Sequence, residues 1–428
     1  MGPSRTGSTQ KRRRAANLKH LPRSAAGSHL FRAAEVVAPP NRPPESKFSP
    51  SALGVWMLSY LPYVFQRKHE FPPASRSPQN AIYDLGGDDG SDVRVALAGD
   101  WATGTKEADS VASQMKSTNP HFTIHLADIY YVGDPPEINE NCLGILNPNN
   151  NYDPVKWPIG SRGSFALNGN HEMYANGDGY FDVFLPRLGL KNASGNMLGQ
   201  QTSFFCLQNR FWRIIAIDTG YNSPGVPILS QIPGVNLIPG ISGNCRLEED
   251  LIEWVTDTVA PERDQRGIII LSHHQYYSAF QNGYRKPAQQ LAQAGINRPV
   301  IWFWGHEHRL AGYDLSGRDD LKAYGRCVGH GGMPVDLMHG GQKLHDPSPV
   351  FFDERHSPNG FGFNGHANLS FVGNSLKVTY VDLVGTPLLT ESWLVDGAGS
   401  LKVTKQVQLI EDRDFHFRPA GKTNSART

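Results

Sequence analysis

Six apolar runs of strand length recur between residues 93 and 304, and each is continuous rather than alternating. They cover residues 93–98, 122–126, 165–167, 211–217, 268–271 and 300–304. A strand with one wet face alternates in polarity, whereas a strand covered on both faces is apolar throughout. Helical segments separate the runs. Residues 107–117 and 247–259 carry apolar side chains at helical spacing, as at Leu247, Leu251, Trp254, Val255 and Val259, and residues 289–294 follow Pro287 in the same way. This alternation predicts an α/β layered sheet. Polarity begins to alternate only later, over residues 367–371, 376–381 and 388–394, with Gly373-Asn374 and Gly385-Thr386 between them. That pattern predicts an antiparallel meander.

The residues that end the runs carry the chemistry. The first run leads into Gly99-Asp100 and the second into Ala127-Asp128-Ile129-Tyr130-Tyr131. The third leads into Asn168-Gly169-Asn170-His171-Glu172, and the later ones into Ser272-His273-His274 and Gly305-His306-Glu307-His308. Ligands bind α/β sheets at the carboxyl ends of the strands. The order of the sequence therefore gathers Asp, Tyr, Asn and His side chains around one crevice. Taken singly, an Asp after a strand is a turn or cap residue, and a His pair is a buried hydrogen-bonded pair. Five strand ends with the same property have no such ordinary reading. Oxygen donors and imidazoles together suit Fe, Mn and Zn. Two such ions neutralise a phosphate ester and lower the pKa of a bound water, so the set predicts attack by a metal-bound hydroxide. Asp128, central in the set, is the natural bridge between them.

The five blocks resemble the signature of the calcineurin-like metallophosphoesterases, most specifically in Gly169-Asn170-His171-Glu172 and Gly305-His306-Glu307-His308. The resemblance implies a four-layer α/β/β/α sandwich with mixed sheets. By it, Asn170, His273 and His306 hold one metal, Asp100 and His308 hold the other, and Asp128 bridges. His171 is implied to be the catalytic general acid, with Glu172 orienting its ring. Most of the family reads Asp-x-His in the first block, and here Asp100-Trp101-Ala102 offers no imidazole. The purple acid phosphatase branch also lacks that His and uses a Tyr three residues after the bridging Asp, the place of Tyr131. Successive residues leaving a strand point in opposite directions, which favours Tyr131 over Tyr130. A phenolate ligand implies Fe(III), paired with Fe(II), Zn(II) or Mn(II). The expected activity is hydrolysis of phosphate monoesters. A phosphodiesterase acting on nucleotides or lipid head groups is the alternative, and a non-catalytic scaffold of the same fold is a third.

Charge divides the chain. Residues 1–34 hold eight Lys or Arg and no Asp or Glu, and the remainder holds 33 basic against 40 acidic residues. A solvated tail is the preferred reading of this head. An organelle presequence and a tether to nucleic acid or to an anionic membrane are the alternatives. No obligate nucleic-acid partner is implied. The expected division is a disordered basic tail over 1–48, an extension packed on the body over 49–90, the metallophosphoesterase-like body over 91–410 and a frayed tail over 411–428. Within the extension, residues 52–65 predict a helix packed on the body, with Ser49 as its N-cap and Pro50 in the first turn, and an interfacial membrane segment is the alternative reading. No stretch reaches the length needed to span a bilayer, and a cytoplasmic location is expected. The four cysteines, Cys142, Cys206, Cys245 and Cys327, match no zinc spacing. They read as thiols, with a Cys142–Cys245 bridge left open. Residues 132–163 and 221–244 are long Pro- and Gly-bearing excursions. The second, being apolar, predicts a cleft wall that sets substrate choice.

Overall fold

The computed structural model describes residues 41–48, 53–148, 152–223, 244–317, 321–338, 342–358 and 360–419, without the side chains of 53–55. The basic head, the Ser49 cap and most of the expected cleft wall, residues 224–243, lie outside these.

Seventeen strands are described in chain order: β1 (Ile82–Asp84), β2 (Val93–Ala98), β3 (Phe122–His125), β4 (Gly163–Ala166), β5 (Gly189–Leu190), β6 (Phe205–Gln208), β7 (Trp212–Ala216), β8 (Gly267–Ser272) and β9 (Val300–Trp304) come first. They are followed by β10 (Leu310–Ser316), β11 (Ala323–Val328), β12 (Phe351–Asp353), β13 (Gly365–Val372), β14 (Ser375–Asp382), β15 (Pro387–Val395), β16 (Leu401–Gln408) and β17 (Phe415–Phe417). The helices are α1 (Leu53–Tyr60), α2 (Lys106–Ser117), α3 (Pro135–Asn141), α4 (Asn170–Tyr174), α5 (Glu249–Glu253) and α6 (Arg285–Gln293).

The strands form two mixed sheets. One runs β1-β6-β7-β8-β9-β11-β10-β12-β17 and the other β16-β15-β14-β13-β2-β3-β4-β5. In the second sheet β2, β3 and β4 are parallel neighbours joined through α2 and α3. In the first, β7, β8 and β9 are parallel neighbours joined through α5 and α6. Right-handed crossovers that step in one direction put their helices on one face of the sheet. Each sheet therefore has a helical face and a face turned to its partner, which is the predicted α/β/β/α sandwich. The strands read as apolar throughout because both faces are covered. In β2, Val93, Val95 and Leu97 enter the large central core, while Ala96 and Ala98 meet Ala108, Val111 and Met115 of α2.

Local chemistry sets the helix starts. The Thr105 hydroxyl accepts the Ala108 N–H ahead of α2, and the Asp134 carboxylate accepts the Glu137 N–H ahead of α3, with Pro135 at the first position. The segment expected as one helix over 247–259 begins as α5 and continues through a π-helical turn, Trp254–Val259, which ends at Ala260 in the left-handed region. Residues 415–417 are not frayed: they pair with β12 at the sheet edge, because Phe415 is buried there. Residues 45–48, expected within the disordered tail, instead form a short helical turn with Glu45 buried, and the 49–90 extension contributes β1, parallel to β6. All four cysteines are free and buried, so Cys142 and Cys245 are not bridged. Among the described residues, no helix is long and apolar enough to cross a membrane.

Candidate metal centre

The loops after β2, β3, β4, β8 and β9 converge at one edge of the sandwich, and the chain bends sharply to bring them there. Asp100, Ala127, Asp128 and His306 all have positive φ, between 55° and 75°. This region is unfavourable for side chains with a Cβ and tends to be kept where function requires it. Two glycines allow the close approach. A Cβ on Gly169 would stand 2.2 Å from Asp128 Oδ1, and one on Gly305 would stand 2.6 Å from Asp100 Oδ2.

Asp128 lies at the centre. Its Oδ2 is 3.2 Å from His273 Nε2 and 3.8 Å from His171 Nε2, and its Oδ1 accepts the His171 N–H at 3.2 Å. On one side stand Asn170, His273 and His306. His273 Nδ1 lies 2.9 Å from the Leu126 carbonyl, which can only accept, so the ring proton sits on Nδ1 and the Nε2 lone pair faces inward. Asn170 Oδ1 lies 3.2 Å from that Nε2, and the Asn170 amide donates to the Tyr174 hydroxyl, which fixes the oxygen inward. His306 Nδ1 lies 3.3 Å from the same Nε2. Imidazole, amide and carboxylate acceptors thus point at one another. A cation relieves their repulsion, so the set fits a metal ion.

The other side shows the same demand. The Tyr130 hydroxyl lies 2.9 Å from Asp100 Oδ1, 3.0 Å from His308 Nε2 and 3.3 Å from Asp128 Oδ2. A phenol has one proton to give. His308 Nε2 is also 3.4 Å from Asp100 Oδ1. Asp100, Asp128 and His273 present ligand atoms within 4.8 Å of one another, as do His273, His274 and His306. Burial lowers the pKa of His273, but the carboxylates of Asp128, Asp100 and Glu172 overcome it and push His273 up to about 10. The pocket draws positive charge, as a proton or as a metal.

Two sequence expectations need correction. Tyr131 does not face the cluster; Tyr130 does. The Tyr131 ring packs against Phe48 and the patch of Val132, Tyr174 and Ala175, and its N–H is held by Glu137. Glu172 does not orient His171 either. Its carboxylate accepts the Gly169 N–H at 3.1 Å, while His171 Nδ1 lies 2.5 Å from the Tyr131 carbonyl. That carbonyl fixes the Nδ1 proton and leaves Nε2 toward Asp128. Asp100, Asp128, Asn170, His273, His306 and His308 are brought together as the spacing implied, with His171 at the rim.

Sequence reasoning also missed two neighbours. His274 has its ring centroid 4.5 Å from that of His306, and its backbone N–H donates to the Thr219 hydroxyl at 3.0 Å. Its place directly after His273 was the available signal. Trp56 stacks on His171 at 5.5 Å and 16°, and comes from a segment with no motif to announce it.

No curated protein sequence matches the chain. Among solved structures, GAP50, titled the anchor in the inner membrane complex of Plasmodium, aligns at TM-score 0.44 and 13% identity, covering 76% of this chain and 90% of that one. The purple acid phosphatase PPD1 of yellow lupin (Lupinus luteus) aligns at TM-score 0.45 and 13% identity, covering 71% of this chain and about half, 53%, of its own. The family model described as calcineurin-like phosphoesterase matches residues 93–310, about half of the chain and all five ligand-bearing loops, and the chain belongs to that family.

Proposed function

We propose that the protein is a phosphoesterase that holds two metal ions and hydrolyses phosphate monoesters. The observation that carries this reading is the gathering of ligand-capable side chains from five loops around one point, with His273 Nε2 3.2 Å from Asp128 Oδ2 and the Tyr130 hydroxyl donating to that oxygen at 3.3 Å. Asn170, His273 and His306 would hold one ion, Asp100, His308 and the Tyr130 phenol the other, with Asp128 between. Bound ions supply charge neutralisation of the phosphate and an acidified water. The phenol in the set supports Fe(III) as one ion, with Fe(II), Zn(II) or Mn(II) as the second.

The remaining work falls to the chain itself. His171 keeps its proton on Nδ1 through the Tyr131 carbonyl, so Nε2 is the atom that takes up and delivers a proton at the leaving oxygen. Trp56 covers one face of that ring, and Tyr130, with its centroid at 4.2 Å, lies against it as well. The imidazole is thereby held in one orientation.

Elemental analysis of the purified protein, together with paired assays on p-nitrophenyl phosphate and bis-p-nitrophenyl phosphate, tests the reading. About two metal ions per chain and faster turnover of the monoester are expected, with activity lost in Asp128→Ala. Near wild-type turnover in that variant would overturn the two-metal site, and preference for the diester would overturn the substrate class.

A further inference from the structure

The segment that supplies Trp56 has a second face. Helical backbone runs from α1 through the short turn Leu61–Tyr63 to Val64. Along such a path residues 56, 60 and 63 share one side. Trp56, Tyr60 and Tyr63 pack on Val132, Tyr174 and Ala175. Two hydrogen bonds pin the segment there, from the Tyr63 hydroxyl to Asp134 Oδ2 at 3.1 Å and from the Asn176 amide to the Tyr63 carbonyl at 2.8 Å. Met57, Leu58, Leu61, Val64 and Phe65 follow the spacing i, i+1, i+4, i+7, i+8 and fall on the other side. They are 46%, 70%, 57%, 41% and 96% exposed.

A solvated helix ordinarily spends its outer face on charge. Here residues 49–66 contain no Asp, Glu, Lys or Arg at all. A contiguous apolar face of this kind marks an interaction surface, and the flanking charge selects the partner. Residues 1–34 carry eight Lys or Arg and no acid, and Arg67 directly follows the segment. An anionic bilayer accepts both features, since stable attachment to a membrane surface takes an apolar face together with a polybasic stretch.

We propose that Met57, Leu58, Leu61, Val64 and Phe65 form a docking surface for an anionic lipid bilayer, with the basic residues of 1–34 supplying the electrostatic attraction. The inference stands on the surface alone and does not require hydrolytic activity. Because Trp56, on the inner side of the same helix, stacks on His171, docking would set the metal centre beside the membrane.

The test is co-sedimentation of the full chain with phosphatidylcholine vesicles that do or do not contain about 30% phosphatidylserine, compared with a Leu58→Ser/Leu61→Ser/Phe65→Ser variant. An unchanged unfolding temperature shows that the variant, altered only at exposed positions, remains folded. The expected result is binding to the phosphatidylserine vesicles that weakens with salt and falls roughly tenfold or more in the variant. Three results would overturn the proposal: no binding by the wild type, equal binding by the variant, or a wild-type dimer that the variant converts to monomer in sedimentation.

Discussion

The Tyr130 hydroxyl lies 2.9 Å from Asp100 Oδ1, while the Tyr130 N–H donates to the carbonyl of Ala102 at 3.1 Å. The residue that cannot ligate, Ala102, thus anchors the backbone of the residue whose phenol enters the cluster. If that phenol binds a metal as phenolate, Fe(III) is the ion that suits it. Aerobically purified protein is then expected to contain iron and to absorb in the visible through phenolate-to-iron charge transfer. Tyr130→Phe should abolish the band and Tyr131→Phe should retain it. Retention of the band in Tyr130→Phe would return the role to Tyr131.

The reason sequence reasoning selected Tyr131 is specific. Alternation of side chains holds only while the chain is a strand, and β3 ends at His125. Ala127 and Asp128 then adopt positive φ, which rotates everything that follows. By contrast β2 and β9 coincide with their apolar runs, because burial on both faces leaves an unbroken apolar signature. β1 and β6 were not legible. Ile82–Asp84 is too short for a period, and Phe205–Gln208 mixes polar and apolar residues at its end. The candidate ligand positions Asp100, Asp128, Asn170, His273, His306 and His308 were legible because each follows closely after a readable strand. Trp56 was not, because nothing in its local sequence distinguishes a ring that packs on His171 from one that packs on any core.

His171 is expected to act on the proton and not on the metal. His171→Ala should lower kcat for an alkyl phosphate by roughly 10²–10⁴-fold while metal content is unchanged. For p-nitrophenyl phosphate, whose leaving group needs little protonation, the loss should be smaller. Measuring kcat for both esters alongside metal content checks this. Equal losses would place His171 outside proton transfer, and loss of metal would make it a ligand or a structural support.

Arg326 on β11 and Glu391 on β15 join the two sheets inside the sandwich. Arg326 Nε and Nη2 each reach a Glu391 oxygen at 2.7 Å, and both side chains are buried. Tyr380 and Gln406 donate to the same carboxylate at 2.8 Å each. Removing one partner strands a buried charge, which costs about 3–5 kcal/mol, whereas replacing both with apolar residues costs less. Arg326→Met is therefore expected to lower the unfolding free energy by about that amount in denaturant titration, with Arg326→Met/Glu391→Leu recovering part of it. A double variant no more stable than the single one would mean that the pair contributes attraction beyond its desolvation cost.

Glu45 makes stability depend on pH. Burial, and then the neighbouring Glu107 carboxylate, raise its pKa from 4.5 to about 8, against a smaller opposing effect of Lys106. The Glu45 N–H donates to Glu107 Oε2 at 2.9 Å, which keeps the two carboxylates close. A folded-state pKa above the unfolded value means that the folded protein holds the proton more tightly. The resulting stabilisation is complete below about pH 4.5 and is lost as pH rises through about 8. Glu45→Gln keeps the shape of the neutral acid and removes the ionisation. Solvent screening and local relaxation reduce the effect, so the gain expected at pH 8.5 is about 1 kcal/mol, or about 1–2 °C in a domain of more than 250 residues. At pH 5 the variant and the wild type should unfold within about 0.5 °C of each other, because Glu45 is then already mostly protonated in the fold. Thermal unfolding of both proteins at the two pH values provides the measurement. A variant equally stabilised at pH 5 and pH 8.5 would show that the gain comes from packing and not from the buried carboxylate.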